Sequence, residues 1–262
     1  MTRWKASAIH FAISFAVIGA IAALVVWRWY PLELFGMARA GTLLALLGGV
    51  DLVLGPLLTL IVYKPGKASL KFDLTVIALL QAAALAFGLH TVWQSRPVYV
   101  VAVADRFRLV FANEIDAPSA ARAPAAYRDL PAWGPRTVSA TLPQDPKARL
   151  EAMVSGFSGL EIFQRPDRFS AYPPRDPDFL GHSVPARTVL ELAPEATRGE
   201  WEGVLQRHAG VGSLAIMPLQ SSRGSATVLM RASDGGILGY SRLDPWPIVN
   251  ALERRNRERT SP

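Results

Sequence analysis

The sequence predicts a membrane α-helical part followed by a small α+β domain, that is, three transmembrane helices and then a mixed α/β periplasmic domain. Three observations predict it. Three apolar stretches, at about 7–27, 42–63 and 72–93, are each long enough to cross a hydrocarbon core, which takes roughly 20 residues. From Pro97 onward the pattern changes to β-formers, turns and frequent prolines. The basic excess lies beside the apolar stretches: residues 1–96 carry eight Lys and Arg against Glu33, Asp51 and Asp73, whereas 97–262 is nearly balanced. That distribution is one of membrane anchoring and argues against a nucleic-acid partner. The expected domains are 1–96 in the membrane and 97–262 outside it.

The first stretch, Ser7 to Trp27, has His10 as its only strongly polar side chain. It is too long for a signal-peptide core and ends in WRWYP instead of a small-residue cleavage site, so an uncleaved span is expected. The second stretch holds GGVDLVLGPLLTLIVYKPGK, Gly48 to Lys67. Asp51 lies well inside it, where an ionised carboxylate is costly and marks function unless it is protonated or paired within the bundle. Gln81 or a backbone donor is the expected internal partner. Pro56 lacks an N–H and crowds the carbonyl of Leu52, so a kink or an opened turn is expected. Gly48, Gly49 and Gly55 allow another helix to come close. Gly48, Gly49, Asp51, Gly55 and Pro56 together predict a shaped interhelical surface, either toward a membrane partner or within the bundle. The third stretch has Asp73 and His90 at its ends and Gln81 near its middle; His10 and His90 are expected at the interfaces. A soluble helical bundle would need a polar face on each helix, and none is evident in the first.

Direction follows from the positive-inside rule. Arg3 and Lys5 precede the first span, and Lys64, Lys67 and Lys71 fill the loop before the third, which places these on the cytoplasmic side. Arg28, Arg39 and Arg96 are fewer on the other side. Trp27, Trp29, Tyr30 and Trp93 then form an outer aromatic belt, with Trp4 on the inner face. The expected location is an inner membrane crossed several times, N-terminus in the cytoplasm, residues 97–262 in the periplasm.

In that region RPVYVVAVADRFRLVFANEID reads as strand, turn, strand, and WGPRTVSATLP as turn plus strand. DPKARLEAMVSGFSG reads as a helix with Asp145 capping and Pro146 at its first position, Leu150, Met153, Val154 and Phe157 on one face. A further helix is expected over Glu195 to Gly210, using Trp201, Val204, Leu205 and His208. SLAIMPLQSSRGSATVLMRASDGGILGY reads as strand, turn, strand, and the last residues, ERRNRERTSP, as a fraying charged tail.

Signs of chemistry are sparse. The absence of cysteine excludes disulfides and thiolate sites. Only His182 and His208 lie beyond residue 96, with no G-x-S-x-G elbow and no H-E-x-x-H. Asp105, Glu114 and Asp116 suggest either a calcium cluster or ordinary turn carboxylates. FQRPDRF is a basic-aromatic patch without an evident purpose. No cofactor is expected, and a binding module is favoured over an enzyme. The alternatives are a membrane-anchored periplasmic envelope hydrolase and a small ion-coupled transport component; the single deep carboxylate argues against transport.

TRWKASAIHFAISF, GVDLVLGPLLTLIVYKPGK, LKFDLTVIALLQAAALAFGLHTV and SRPVYVVAVADRFRLVFANEI together resemble the type IV pilin accessory proteins of Gram-negative bacteria, of the TfpX/TfpZ type. The resemblance is dense over residues 2–116 and thin beyond. Asp51, Gly55, Pro56, Lys64, Pro65, Gly66, Lys67, Lys71, Phe72, Asp73 and Gln81 match the family pattern, as do Arg96, Pro97, Asp105, Arg106, Phe107, Asn113 and Glu114; none carries an assigned chemical role. The resemblance implies a chaperone-like inner-membrane protein that handles the major type IV pilin during pilus assembly, without catalysis. Its partners would be the major type IV pilin and the lipid bilayer, with other inner-membrane pilus assembly proteins as further candidates.

Overall fold

A computed structural model describes residues 1–30, 32–141, 143, 145–157, 159–172 and 177–260. The chain forms two compact units, Met1–Pro31 with Arg39–Arg96, and Leu32–Ala38 with Pro97–Pro262.

Among its described residues the first unit contains three helices long and apolar enough to cross a membrane: α1 (Arg3–Trp29), α2 (Ala40–Val62) and α3 (Leu70–Gln94). The Thr2 hydroxyl caps α1 by accepting the Lys5 N–H at 3.3 Å. Where α1 and α3 end, Trp29 meets Trp93 edge-on with ring centroids 5.0 Å apart. Tyr30 is buried there and donates to the Ser95 carbonyl at 3.0 Å, so it ties helix ends together instead of joining an exposed belt. α2 and α3 are joined by a tight turn at KPGK. Gly66 takes φ +80°, a left-handed conformation that suits glycine, and Lys67 N–H reaches the Lys64 carbonyl at 3.2 Å. Lys67 also pairs with Asp73 at 2.6 Å.

α2 is not uniform. Val50–Leu54 forms a π-helical turn just before Pro56, which is the opened turn the proline predicts. In a π turn each N–H serves the carbonyl five residues back. The carbonyl of Asp51 would then look to residue 56, and proline has no N–H to give.

The second unit is built on an eight-stranded mixed sheet: β1 (Pro97–Val103), β2 (Arg106–Phe111), β3 (Arg136–Ala140), β4 (Phe169–Ala171), β5 (Val184–Pro185), β6 (Leu214–Gln220), β7 (Ser225–Arg231) and β8 (Ile237–Ser241). The order is β4-β3-β1-β2-β6-β7-β8, and β5 pairs with β6. One face of the β1–β4 half packs Tyr99, Val101, Val110 and Val138 against Ala123, Tyr127 and Phe163, beside α4 (Ala117–Arg122). In the other half Ile216 and Leu229 pack against Val189 of α6 (Ala186–Leu192), Trp201 of α7 (Glu195–Gln206) and Ile248 of α8 (Trp246–Thr260); α5 (Pro146–Phe157) precedes these. Alternate residues on the opposite face, Phe107, Leu109, Phe111, Met217 and Met230 among them, are also fully buried. Tyr172, just past β4, donates to the Gly235 carbonyl between β7 and β8 at 2.6 Å. The sheet is therefore open in its pairing but curls so that its two ends approach.

Two expectations are corrected. Residues 253–260 of the stretch expected to fray belong to α8, because Ile248, Val249 and Leu252 pack on the second core and Arg255 reaches Glu191 at 3.3 Å; the last two lie outside the described residues. Residues 32–38, between the first two apolar stretches, are part of the C-terminal domain: Leu34 and Ala38 are fully buried, and Arg223 donates to the Ala38 carbonyl at 3.1 Å. On α5, Leu150 and Val154 are exposed, while the side chains of Met153 and Phe157 lie outside the described residues.

Candidate functional site

The polar groups of the first unit converge. Gln81 Nε2 donates to the Asp51 carbonyl oxygen at 3.2 Å and to Asp51 Oδ1 at 3.4 Å. The amide of α3 thus supplies the donor that Pro56 lacks. Both acceptors on Asp51 fix the amide's orientation, so Gln81 Oε1 points to His10 Nε2, 2.7 Å away, which must donate to it. His10 Nδ1 lies 2.6 Å from Thr59 Oγ1, and for a neutral ring the threonine hydroxyl is the donor. Ser7 Oγ donates to the Pro56 carbonyl at 2.9 Å. One directional chain therefore links all three helices: Thr59, His10, Gln81, Asp51.

Each residue expected at this site can now be placed. Asp51, Gly55 and Pro56 are buried. A Cβ at Gly55 would collide with the Gln81 amide, so that glycine makes room for the hydrogen bond. Gly48 is buried against Ile18, whose Cγ2 would lie 3.2 Å from an added Cβ. Gly49 is exposed and faces open space. With it, Leu46, Val50, Val53, Leu57 and Ile61 form an exposed apolar stripe on α2. Lys64, Lys67 and Lys71 are exposed. Trp27 is 75% exposed with Arg28 over its ring at 4.3 Å, and Trp93 carries Arg96 over its ring at 3.5 Å.

His10 corrects an expectation: it belongs to the bundle's polar interior, not to an interface. Ser7, His10 and Ser14 carried the signal, because spacings of three and four put them on one helical face. Thr59 could have been found the same way, one turn beyond Gly55.

In the second unit the suggested cation cluster separates into local contacts. Asp105 pairs with Arg106 at 2.8 Å, and that hydrogen bond holds its carboxyl below the usual aspartate value. Glu114 accepts the Phe111 N–H at 3.0 Å and the Ser222 hydroxyl. Asp116 caps α4 through the Ser119 N–H at 2.8 Å. Among the described residues no group of three potential metal ligands occurs. FQRPDRF has an architectural explanation. Asp167 sits among Arg122, Arg165 and Arg168 at 4.0, 3.3 and 3.7 Å, and Phe169 packs on Tyr99.

A cleft of about 770 Å³ lies between α7 and β8. Leu229, Leu238 and Leu243 line it with Gly199, Gly203 and Gly239, and Glu33, Glu200, Arg207, His208 and Arg242 border it. Ser241 and His208 both border this cleft, but each has another partner: Ser241 Oγ accepts the Leu243 N–H at 3.3 Å, and His208 Nδ1 lies 3.0 Å from the Val204 carbonyl. His182 Nδ1 lies 2.7 Å from the Asp178 carbonyl, and Ser183 donates to the Leu180 carbonyl at 2.7 Å. Among the described residues neither histidine is hydrogen-bonded to a serine as a base would be to its nucleophile.

Three relatives from Dichelobacter nodosus are similar to this chain. The fimbrial assembly protein of serogroup I is 27% identical over 222 residues, 84% of this chain and 86% of the relative. That of serogroup E1 is 31% identical over 170 residues, 64% of this chain and 66% of the relative. That of serogroups C1 and C2 is 33% identical over 113 residues, 42% of this chain and 86% of the relative. No family model and no solved structure matches. Three membrane-length helices joined to an α/β domain, with a one-third identical relative covered over most of its length, place this chain in the family of fimbrial assembly proteins.

Proposed function

We propose that this protein is an inner-membrane accessory factor of type IV pilus assembly, of the TfpX/TfpZ type, that binds the major pilin and acts on it as a chaperone before assembly. The similarity to fimbrial assembly proteins over most of the chain is the observation that carries the reading. In this reading the N-terminus is cytoplasmic and residues 97–262 are periplasmic. The lysines of the loop at 64–71 support that direction. The packing of residues 32–38 into the C-terminal domain supports two crossings between residues 38 and 97, because the chain must be on the same side before α2 and after α3.

The second span carries the contact with pilin in this proposal. Gly48, Asp51, Gly55 and Pro56 shape α2 from inside, and Gly49 with its apolar stripe forms the face presented in the bilayer. Helices in lipid associate through close packing at small residues, which fits an exposed glycine beside the π turn. The role is one of binding, not catalysis.

The test is in-membrane crosslinking from positions 48–60, with phosphatase reporters fused after residues 68 and 100. Pilin-sized adducts from Gly49, Val53 and Leu57 and none from buried Thr59 are expected, with reporter activity at 100 only. Adducts confined to residues 97–262 would defeat the proposed contact, and activity at 68 alone would reverse the topology.

A further inference from the structure

The cleft between α7 and β8 has features that the bundle does not use. β8 ends the sheet: it pairs with β7, Leu32–Phe35 packs beside it and Tyr240 bonds Thr137, but among the described residues no backbone hydrogen bond reaches its other edge. Four of its five residues remain part-exposed, whereas β1 and β6 each bury six of seven. Unpaired edges invite another strand, and charges or prolines commonly blunt them. Ile237–Ser241 carries neither, and its bulge near Leu238 leaves Gly239–Ser241 in regular pairing with β7.

The opposite wall is as unusual. Gly199 and Gly203 lie one turn apart on α7 and face the cleft. Glycine inside a helix costs stability. Packing does not demand it here: an added Cβ would meet nothing within 4 Å at Gly199 and only the Arg207 guanidinium, at 3.8 Å, at Gly203. What two bare positions provide is close approach of another backbone. The floor is leucine, and the rim holds Glu33 and Glu200 as well as Arg207 and Arg242, a mixture suited to a peptide and not to a single-sign ligand.

We infer that this cleft takes an extended polypeptide segment of the pilin, which adds to the unpaired edge of β8 along Gly239–Ser241 and rests a small apolar side chain on Leu238 and Leu243 between the bare turns of α7. Main-chain pairing would supply affinity and the leucine floor selectivity. The inference rests on the assembly role proposed above for the identity of the segment.

The test uses the full-length protein in lipid nanodiscs, titrated with overlapping synthetic peptides that tile the cognate pilin. At least one peptide is expected to bind and to slow amide hydrogen exchange at Gly239–Ser241. Gly199→Leu with Gly203→Leu fills the cleft and should weaken that binding roughly tenfold or more, with an unfolding temperature no lower than the parent's. If the leucine pair disturbs folding, Gly199→Ala with Gly203→Ala gives a milder version, for which a smaller loss of affinity is expected. Absence of binding, exchange protection elsewhere, or unchanged affinity in a folded filled variant would overturn the inference. Pilin adducts from α2 without peptide binding in the cleft would overturn it while leaving the assembly role intact.

Discussion

The two units place their polar groups in opposite ways. The sheet domain encloses Trp201, Phe107, Met217 and Leu229, and none of its described charged residues is fully buried. The helical unit exposes Phe15, Leu24, Val53, Ile61 and Phe87 and gathers His10, Asp51, Thr59 and Gln81 inside. The difference shows what each solvent permits. In water, apolar burial drives the chain together. In lipid, apolar side chains have no preference for one another over acyl chains, so hydrogen bonds and close packing decide where helices meet.

The largest effect should come from the water-built core. Trp201 is 1% exposed, and Trp201→Ala should cost the domain about 3–5 kcal/mol, read as a lower denaturant midpoint by fluorescence and hydrogen exchange. A change in the lipid-built interior should cost less. Gln81→Leu removes the link among three helices and leaves the Asp51 carbonyl without its donor, for about 1–2 kcal/mol by steric trapping in bicelles. A loss equal to that of Trp201→Ala would break the comparison.

Tyr172 sharpens it from the sheet side. Burial raises its hydroxyl well above the ordinary tyrosine value. A raised folded value means that its contribution is complete below about pH 10 and is lost as pH rises through the folded value, because the unfolded chain releases its proton first. Tyr172→Phe should cost about 1 kcal/mol at neutral pH through the lost bond to Gly235. The variant should also lose stability less steeply above about pH 10; equal slopes in urea titrations would refute the linkage. The smallest effect is expected at Asp51. Asn keeps an acceptor for Gln81 Nε2, so Asp51→Asn should shift bundle stability within about 0.5 kcal/mol. Disappearance of the variant from membranes would show that the charge itself holds the helices.

The sequence made some of this legible and hid the rest for definite reasons. Long apolar runs announced α1, α2 and α3, because crossing a bilayer requires uninterrupted hydropathy. Pro56 announced a break in α2, and Gln81 was foreseen as a partner of Asp51. His10 misled because a lone histidine near a span's start reads as an interfacial residue; only its alignment with Ser7 and Ser14 marks the inner face. Residues 32–38 are too few to show a period, so the burial of Leu34 had no visible signature. Ile248, Val249 and Leu252 were overshadowed by the charges after them. β2 pairs with β6 across about a hundred residues of chain, and such non-local pairing is not written in local patterns. The cleft was hidden for the same reason, since its two walls, α7 and β8, are more than thirty residues apart in the chain.

The insertion of residues 32–38 into the C-terminal domain also sets a schedule for making the protein. Ribosomes finish Leu34 long before they reach β8, whose Tyr240 lies close enough to Glu33 to sense its charge. A nascent chain must therefore hold an apolar segment in waiting while two more helices enter the bilayer and the last strands are made. Cutting the gene at codon 97 would not release a self-sufficient module, because the fragment would lack the side chains of Leu34 and Met37 that its core expects. Supplying residues 32–38 as a separate peptide should restore what the cut removes, which makes the loop between the first two helices the first part of the domain to be synthesised and one of the last to find its place.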